Sequence, residues 1–196
     1  MTILLSEIYD VTLKRGIRGA SKANFIRPTI SQFFMSNHDF EEIIAGPLYY
    51  EDATGPGLGT ASADSTQAGS AANAFNNTWT VGSATSSYWL STYNYVGDRV
   101  HWLQWTFLEP KIIEKITIIS YANPGEYISD FKFQGDAGSN NWIDLLTVVD
   151  YPWVRDYNKK EFLVENDTVY TKYRLYFTGT SRIWIQEAEF MVGVYS

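Results

Sequence analysis

Short stretches that alternate apolar and polar residues recur through the second half of the sequence, and turn-forming residues separate them. Phe131 and Phe133 alternate with polar neighbours, as do Tyr173 and Leu175. This period of two is typical of a strand with one buried face. Asn-Pro-Gly at 123–125 is one of the turn signals between such stretches. Many short strands separated by turns predict an all-β chain, either a sandwich or a jelly roll.

An ordered series of short motifs runs from residue 60 to residue 190. The pieces are Thr60-Ala61-Ser62-Ala63, Ala72-Asn73-Ala74-Phe75-Asn76, Tyr88-Trp89, Trp102-Leu103-Gln104-Trp105, Phe131-Lys132-Phe133-Gln134-Gly135, Asn141-Trp142, Tyr173-Arg174-Leu175 and Ile185-Gln186-Glu187-Ala188-Glu189-Phe190. In this order they resemble the discoidin domain, also called the coagulation-factor type C domain. The resemblance covers about residues 60–192. It implies a galactose-binding-like jelly-roll β-sandwich that holds ligands with the loops at one end and rarely performs chemistry.

A glycine-rich stretch, Gly55-Pro56-Gly57-Leu58-Gly59, predicts a boundary because it sustains neither helix nor strand. Residues 1–58 are expected to form an N-terminal docking arm of short helices or a strand, and residues 59–196 the discoidin-like domain. The arm has too few apolar residues for a core of its own, yet Phe33, Phe34 and Ile43 need cover. It is therefore expected to pack on the sandwich, on another copy or on a different protein. The chain is accordingly expected to form a homo-oligomer or part of a larger assembly.

Charge and composition limit the classes of partner that the chain is expected to bind. The formal net charge of −7 disfavours nucleic acid. No segment is apolar and long enough to insert into a membrane, and the apolar start is followed at once by acidic residues rather than preceded by a basic region, so no signal peptide is expected. The chain has no cysteine, which is typical of a protein made in a reducing cytoplasm.

Two predicted loops combine aromatic rings with planar polar groups. Sugar CH faces stack on such rings, and sugar hydroxyls pair with Asn, Asp, Arg and His. The candidate ligand-binding residues are Tyr93, Tyr95, Arg99, His101, Trp153, Arg155 and Tyr157. The same residue types are preferred at protein interfaces. The two hypotheses are therefore glycan binding and contact with neighbouring subunits.

The stretch Phe75-Asn76-Asn77 stands where the discoidin family usually has Phe-Asp-Gly. The resemblance implies a structural calcium ion there, held by Asn76 and Glu187, with no other cofactor. Asparagine supplies no charge, and hard cations favour carboxylates. The alternative is that Asn76, Asn77 and Glu187 hydrogen-bond the loop directly.

No catalytic motif is present. The sequence has two histidines and no Gly-x-Ser-x-Gly, His-Glu-x-x-His or phosphate-binding glycine motif. Glu187 and Glu189 are two apart on a predicted strand and so point to one face, without a nameable acid–base partner. Trp89, Trp102 and Trp142 match family tryptophans that pack at the sandwich edge and core. We predict that the chain is not an enzyme.

These observations favour a non-enzymatic virion structural protein, made in the host cytoplasm and located in the virion. A bacteriophage tail, collar, baseplate or fibre-attachment component is the leading hypothesis. Its arm would bind other virion proteins, and its discoidin-like domain would bind host surface glycan or neighbouring subunits. The alternatives are a carbohydrate-binding module accessory to a glycan-degrading enzyme and a purely structural decoration or connector protein.

Overall fold

The structure is a computed structural model, and it describes residues 46–79, 87–93, 100–120, 128–153, 159–180 and 182–195. These residues belong to one compact unit, residues 45–196. The N-terminal arm expected over residues 1–58 lies outside the described residues up to residue 45. None of the described helices has the length and apolarity to cross a membrane.

The described chain is built almost entirely from strands, as the alternating pattern predicts. In chain order they are β1 (Tyr49–Asp52), β2 (Gly59–Ala63), β3 (Ala68–Gly69), β4 (Trp89–Leu90), β5 (His101–Lys111), β6 (Lys115–Ser120), β7 (Asp130–Asp136), β8 (Trp142–Val148), β9 (Lys160–Leu163), β10 (Tyr170–Thr178) and β11 (Trp184–Val194). A 3₁₀ helix, Ala71–Phe75, lies between β3 and β4, and the Ser70 hydroxyl caps it by accepting from the backbone N–H of Asn73.

Two antiparallel sheets form the two layers of the fold. Sheet A has the order β3-β4-β11-β6-β9, with β1 also paired to β11, and sheet B has the order β2-β5-β10-β7-β8. This confirms the predicted galactose-binding-like jelly-roll β-sandwich. β1 pairs with β11 from Tyr49 opposite Val194 to Asp52 opposite Met191. The sheet therefore includes residues before the boundary expected at residue 58.

The core lies between the sheets and is rich in rings. Phe133 of β7 stacks on Tyr173 of β10, with ring centroids 5.3 Å apart, and meets Phe190 of β11 edge-on at 4.9 Å. All three side chains are fully buried. Phe131 and Phe133 face inward while Lys132 faces outward, as the alternation predicts. The aromatic content of the sequence is therefore used to join one sheet to the other.

Candidate functional site

One end of the sandwich carries most of the long connections. Leu90 of β4 pairs with Trp184 of β11, and His101 of β5 pairs with Phe177 of β10. Ser120 pairs with Ile185 at the same level. The β4–β5, β6–β7, β8–β9 and β10–β11 connections therefore all leave from this end, which we call the loop end.

The two loops with candidate ligand-binding residues lie at opposite edges of the loop end. The β4–β5 connection holds Tyr93, and the strand order places it at the β4/β5 edge. The β8–β9 connection holds Trp153 and lies at the β8/β9 edge, beyond the β10–β11 and β6–β7 connections. Of the predicted residues that the structure describes, Tyr93 and Trp153 therefore lie at opposite edges and not in one small site. Tyr95, Arg99, Arg155 and Tyr157 lie outside the described residues.

Tyr93 meets a residue that sequence reasoning missed. The Arg182 guanidinium carbon lies 4.0 Å from the centroid of the Tyr93 ring. Two hydrogen bonds bring the segments together, because Ser91 N–H donates to the Ile183 carbonyl at 2.9 Å and Ile183 N–H donates to Ser91 Oγ at 2.8 Å. Tyr93 is 40% exposed. The guanidinium therefore lies over the face of a ring that is partly exposed at the surface.

His101 is buried rather than displayed. It is 1% exposed, and its Nδ1 lies 2.9 Å from Asp64 Oδ2. Asp64, which sequence reasoning also missed, accepts from the backbone N–H of Trp102 at 3.0 Å and from Ser65 Oγ at 2.9 Å. The Asp64–His101 pair thus ties the segment after β2 to the start of β5, beneath the loop end.

Hydrogen bonds control the ionisation of Asp64. Burial by itself would raise the pKa of its carboxyl, but the hydrogen bonds from His101, the Trp102 backbone and Ser65 outweigh burial and lower the pKa. Because the folded-state pKa is depressed, the stability that Asp64 contributes is present above the pKa of the unfolded chain and is lost as pH falls through the folded value.

We expect Asp64→Asn to lower the free energy of unfolding by about 1–3 kcal/mol at neutral pH, because it removes a charge-assisted acceptor from three buried or half-buried donors. Urea denaturation at pH 7 and at pH 3 checks this. The difference between wild type and variant should shrink at the lower pH. An equal difference at both values would contradict the role of the ionised carboxylate.

Trp153 packs in the core of the sandwich and is not displayed at the surface. It is 6% exposed, belongs to the core cluster and packs edge-on against Tyr151 with ring centroids 5.5 Å apart. Tyr151 in turn packs on Phe162 of β9 at 5.2 Å. In this conformation the ring of Trp153 is not open to a ligand. Its place among the binding residues stays a prediction.

The three tryptophans matched to the family divide between core and surface. Trp89 is fully buried, and its indole N–H donates to the Ser65 carbonyl at 2.9 Å. Trp102 and Trp142 are half-buried on the outer side of sheet B. An alternating strand places even-numbered residues of β5 outward, so Trp102 lies opposite the core residues Leu103 and Trp105.

Glu187 is the most unusual carboxylate among the described residues. It is 1% exposed, and neither of its oxygens has a hydrogen-bond partner there. The pKa of Glu187 is raised to about 8, mainly by burial; the backbone of Asn77 and Thr78 opposes this rise, and the carboxylates of Glu189 and Asp52 add to it. Its neighbour Glu189 is paired, with Lys159 Nζ at 2.7 Å and Thr117 Oγ1 at 2.7 Å.

Asn76 is already engaged within its own loop. Its side-chain oxygen accepts from the backbone N–H of Thr78 at 3.2 Å and from Thr78 Oγ1 at 2.6 Å, and its amide nitrogen donates to Ser87 Oγ. Within the part of the chain that is described, no three His, Cys, Asp or Glu side chains are arranged to hold a metal ion. The bare carboxylate of Glu187 fits a cation or a proton, whereas Asn76 would have to share its oxygen. Calcium held by Asn76 and Glu187 stays a prediction.

A surface cleft of about 460 Å³ lies at the end opposite the loop end, lined in part by Glu114, Asn166 and Tyr195. Its polar groups are used by the fold. Glu114 accepts from the Gly193 N–H at 2.8 Å and from the Tyr195 hydroxyl, and Asn166 donates to the Ile113 carbonyl at 3.3 Å. The cleft is a poorer candidate than the loop end.

The sequence matches no protein-family model and none of the curated proteins. Solved structures share the fold. One is chitosan-binding module 1 from a Paenibacillus chitosanase/glucanase, with 17% identity, 73% of this chain and 99% of that chain covered, and a TM-score of 0.55. A second is a Clostridium perfringens module in complex with GalNAc-β-1,3-galactose, with 16% identity, 67% and 93% covered, and a TM-score of 0.54. A third is a Streptococcus pneumoniae fucose-binding module, with 12% identity, 71% and 96% covered, and a TM-score of 0.56.

Proposed function

We propose that this chain is a non-catalytic carbohydrate-binding module that holds a glycan at the loop end. The observation that carries the proposal is the pairing of Tyr93 and Arg182 at that end of the sandwich. A sugar presents flat CH faces to a ring such as Tyr93. Its hydroxyls accept hydrogen bonds from a guanidinium such as that of Arg182. The fold is shared with modules whose names state that they bind chitosan or fucose, which supports this reading.

The Asp64–His101 pair positions the site without touching the ligand. It fixes the start of β5, from which the β4–β5 connection returns to Tyr93. A binding loop held by a partly buried charge-assisted pair loses less conformational freedom when a ligand binds. His101, expected to touch a glycan, therefore acts as a positioning residue in this proposal.

Two assignments of biological setting follow from this function. A module accessory to a glycan-degrading enzyme is favoured by the neighbours, since one derives from a chitosanase/glucanase and another structure combines such a module with an alginate lyase domain. A virion component with residues 1–58 as the docking arm stays a prediction from sequence. Fractionation of the native source tests these two settings. Recovery of the protein bound to particles through its arm would place it in a virion.

We expect Tyr93→Ala and Arg182→Gln each to weaken glycan binding roughly tenfold or more, because each removes a stacking surface or a charged donor. A glycan array that includes galactose, fucose and chitosan oligomers, followed by calorimetry on the best ligand, measures the effect. Ile143→Ala on β8, 40% exposed at the opposite end of the sandwich, is the matched control and should bind like wild type. Undiminished binding in both loop-end variants would place the ligand elsewhere.

A further inference from the structure

The outer face of sheet B carries a second arrangement of rings and polar groups, separate from the loop end. Side chains of its five strands that point away from the core meet in register across the sheet. They form three rows: Trp102, Tyr176, Lys132 and Thr147; Ser62, Gln104, Arg174, Gln134 and Asp144; and Thr60, Thr106, Lys172, Asp136 and Trp142. In the third row, the ion pair between Lys172 and Asp136 joins β10 to β7. We call these fourteen residues the platform. None of them is aliphatic, and the sheet keeps their side chains on one surface.

Arg174 lies at the centre of the platform in a fixed orientation. Its guanidinium carbon is 4.1 Å from the centroid of the Trp142 ring and 4.8 Å from that of Tyr176. Its Nε–H donates to Gln134 Oε1 at 2.7 Å, and Gln134 Nε2 donates to Asp144 Oδ1 at 2.5 Å. Two rings and a chain of two hydrogen bonds therefore hold the guanidinium before any ligand arrives, which lowers the cost of binding.

No carboxylate among the described residues forms an ion pair with Arg174. Asp144 is ion-paired to Lys132 at 2.6 Å, and Asp136 lies 3.3 Å from Lys172. Among the described residues, Arg174 has a hydrogen bond to Gln134 and the two ring contacts, and its terminal nitrogens have no acceptor. Desolvation lowers the pKa of Arg174, against the opposing effect of Tyr176, Asp136 and Asp144. A guanidinium whose terminal nitrogens lack an acceptor is suited to an anion that accepts two parallel N–H hydrogen bonds.

We propose that the platform is a second saccharide-binding surface and that it takes an acidic sugar, a uronate whose carboxylate binds the terminal nitrogens of Arg174. The half-buried rings of Trp102 and Tyr176, which lie in register, then receive the neighbouring sugar rings of the chain. Gln104 and Ser62, in the same row, supply hydroxyl partners. The middle row crosses all five strands, which suits an extended chain rather than a single sugar. This surface goes beyond the proposed function, because its ligand and its residues differ from those of the loop end.

The test titrates the full chain with an oligogalacturonate, with a neutral galactose oligomer and with polyglutamate. We expect Arg174→Gln to weaken oligogalacturonate binding roughly tenfold or more, since a charged hydrogen-bond pair is lost. Arg174→Lys should restore only part of it, because lysine keeps the charge without the fork. Leu163→Ala, on β9 of sheet A, is the matched control and should leave oligogalacturonate binding unchanged. If Arg182→Gln loses binding to the neutral galactose oligomer and Arg174→Gln does not, that loss concerns the loop end and not the platform.

A second measurement needs no variant. In the unaltered protein, the indole N–H signals of Trp102 and Trp142 should shift on addition of oligogalacturonate, while that of the buried Trp89 should not. No shift at Trp102 and Trp142, undiminished oligogalacturonate binding by Arg174→Gln, or equal affinity for polyglutamate would each overturn the proposal. Equal affinity for polyglutamate would mean that the surface binds a polyanion by charge alone, as it would bind an acidic peptide.

Discussion

In metal-free buffer, the protein should lose stability as pH rises from about 5 to about 8, and Glu187→Gln should remove that loss. Burial gives the folded protein a Glu187 pKa of about 8, against an ordinary value of 4.5. The folded state therefore holds the proton more tightly than the unfolded chain, and the stabilisation is fully present below the unfolded pKa. It disappears as pH rises through the folded value. The loss is on the order of 4 kcal/mol, at about 1.4 kcal/mol for each pKa unit.

Urea denaturation of both proteins in EDTA at several pH values measures this effect. At pH 8, Glu187→Gln should be the more stable protein, because its amide never carries a charge. Glu189→Gln is the matched control. Glu189 is paired with Lys159 and Thr117, so its replacement should lower the free energy of unfolding at every pH that is measured. Parallel pH curves for wild type and Glu187→Gln would show that Glu187 does not titrate in the buried state.

Added calcium distinguishes whether a calcium ion or a proton occupies the Glu187 carboxylate. If Asn76 and Glu187 hold the ion, calcium added at pH 8 should raise the Tm of wild type and leave Glu187→Gln unchanged, because binding to the folded state alone stabilises it. An unchanged wild-type Tm at millimolar calcium would leave the proton as the partner of Glu187. It would also agree with the engagement of Asn76 by Thr78.

The second large effect is expected in the core. Phe133→Ala should lower the free energy of unfolding by about 3–5 kcal/mol, because it leaves a cavity among rings that cannot close around it. Phe133 is fully buried and contacts Tyr173 in its own sheet and Phe190 in the other. The loss therefore weakens both the packing of β7 on β10 and the joint between the sheets.

Thermal and urea unfolding check this prediction. Phe133→Leu keeps most of the volume and should cost clearly less than the alanine variant. Leu163→Ala is the surface control, because Leu163 on β9 is 67% exposed and its truncation should change stability by less than about 1 kcal/mol. A Phe133→Ala variant as stable as the Leu163→Ala variant would contradict the central place of this ring.

The amino-acid sequence by itself determined the fold class. Alternation such as Phe131-Lys132-Phe133 is a local property of a strand with one face in the core, so it is readable without partners. Such a pattern also fixes which face is buried, because a shift of one residue would reverse every side chain. The order of the short motifs identified the jelly roll, which the two-sheet arrangement confirms.

Only the tertiary structure decided which polar groups meet. Arg182 reaches Tyr93 because Ser91, just after β4, and Ile183, just before β11, are hydrogen-bonded although they lie 92 residues apart in sequence. Arg174 reaches Trp142 across β7, and Asp64, which directly follows β2, reaches His101 because β2 and β5 are neighbouring strands of sheet B. Local patterns record burial, whereas the environment of a charge depends on strand order. For that reason Trp153, a loop aromatic in sequence, is buried in the fold. Glu187, an ordinary strand residue in sequence, is the least satisfied carboxylate in the part of the chain that the structure describes.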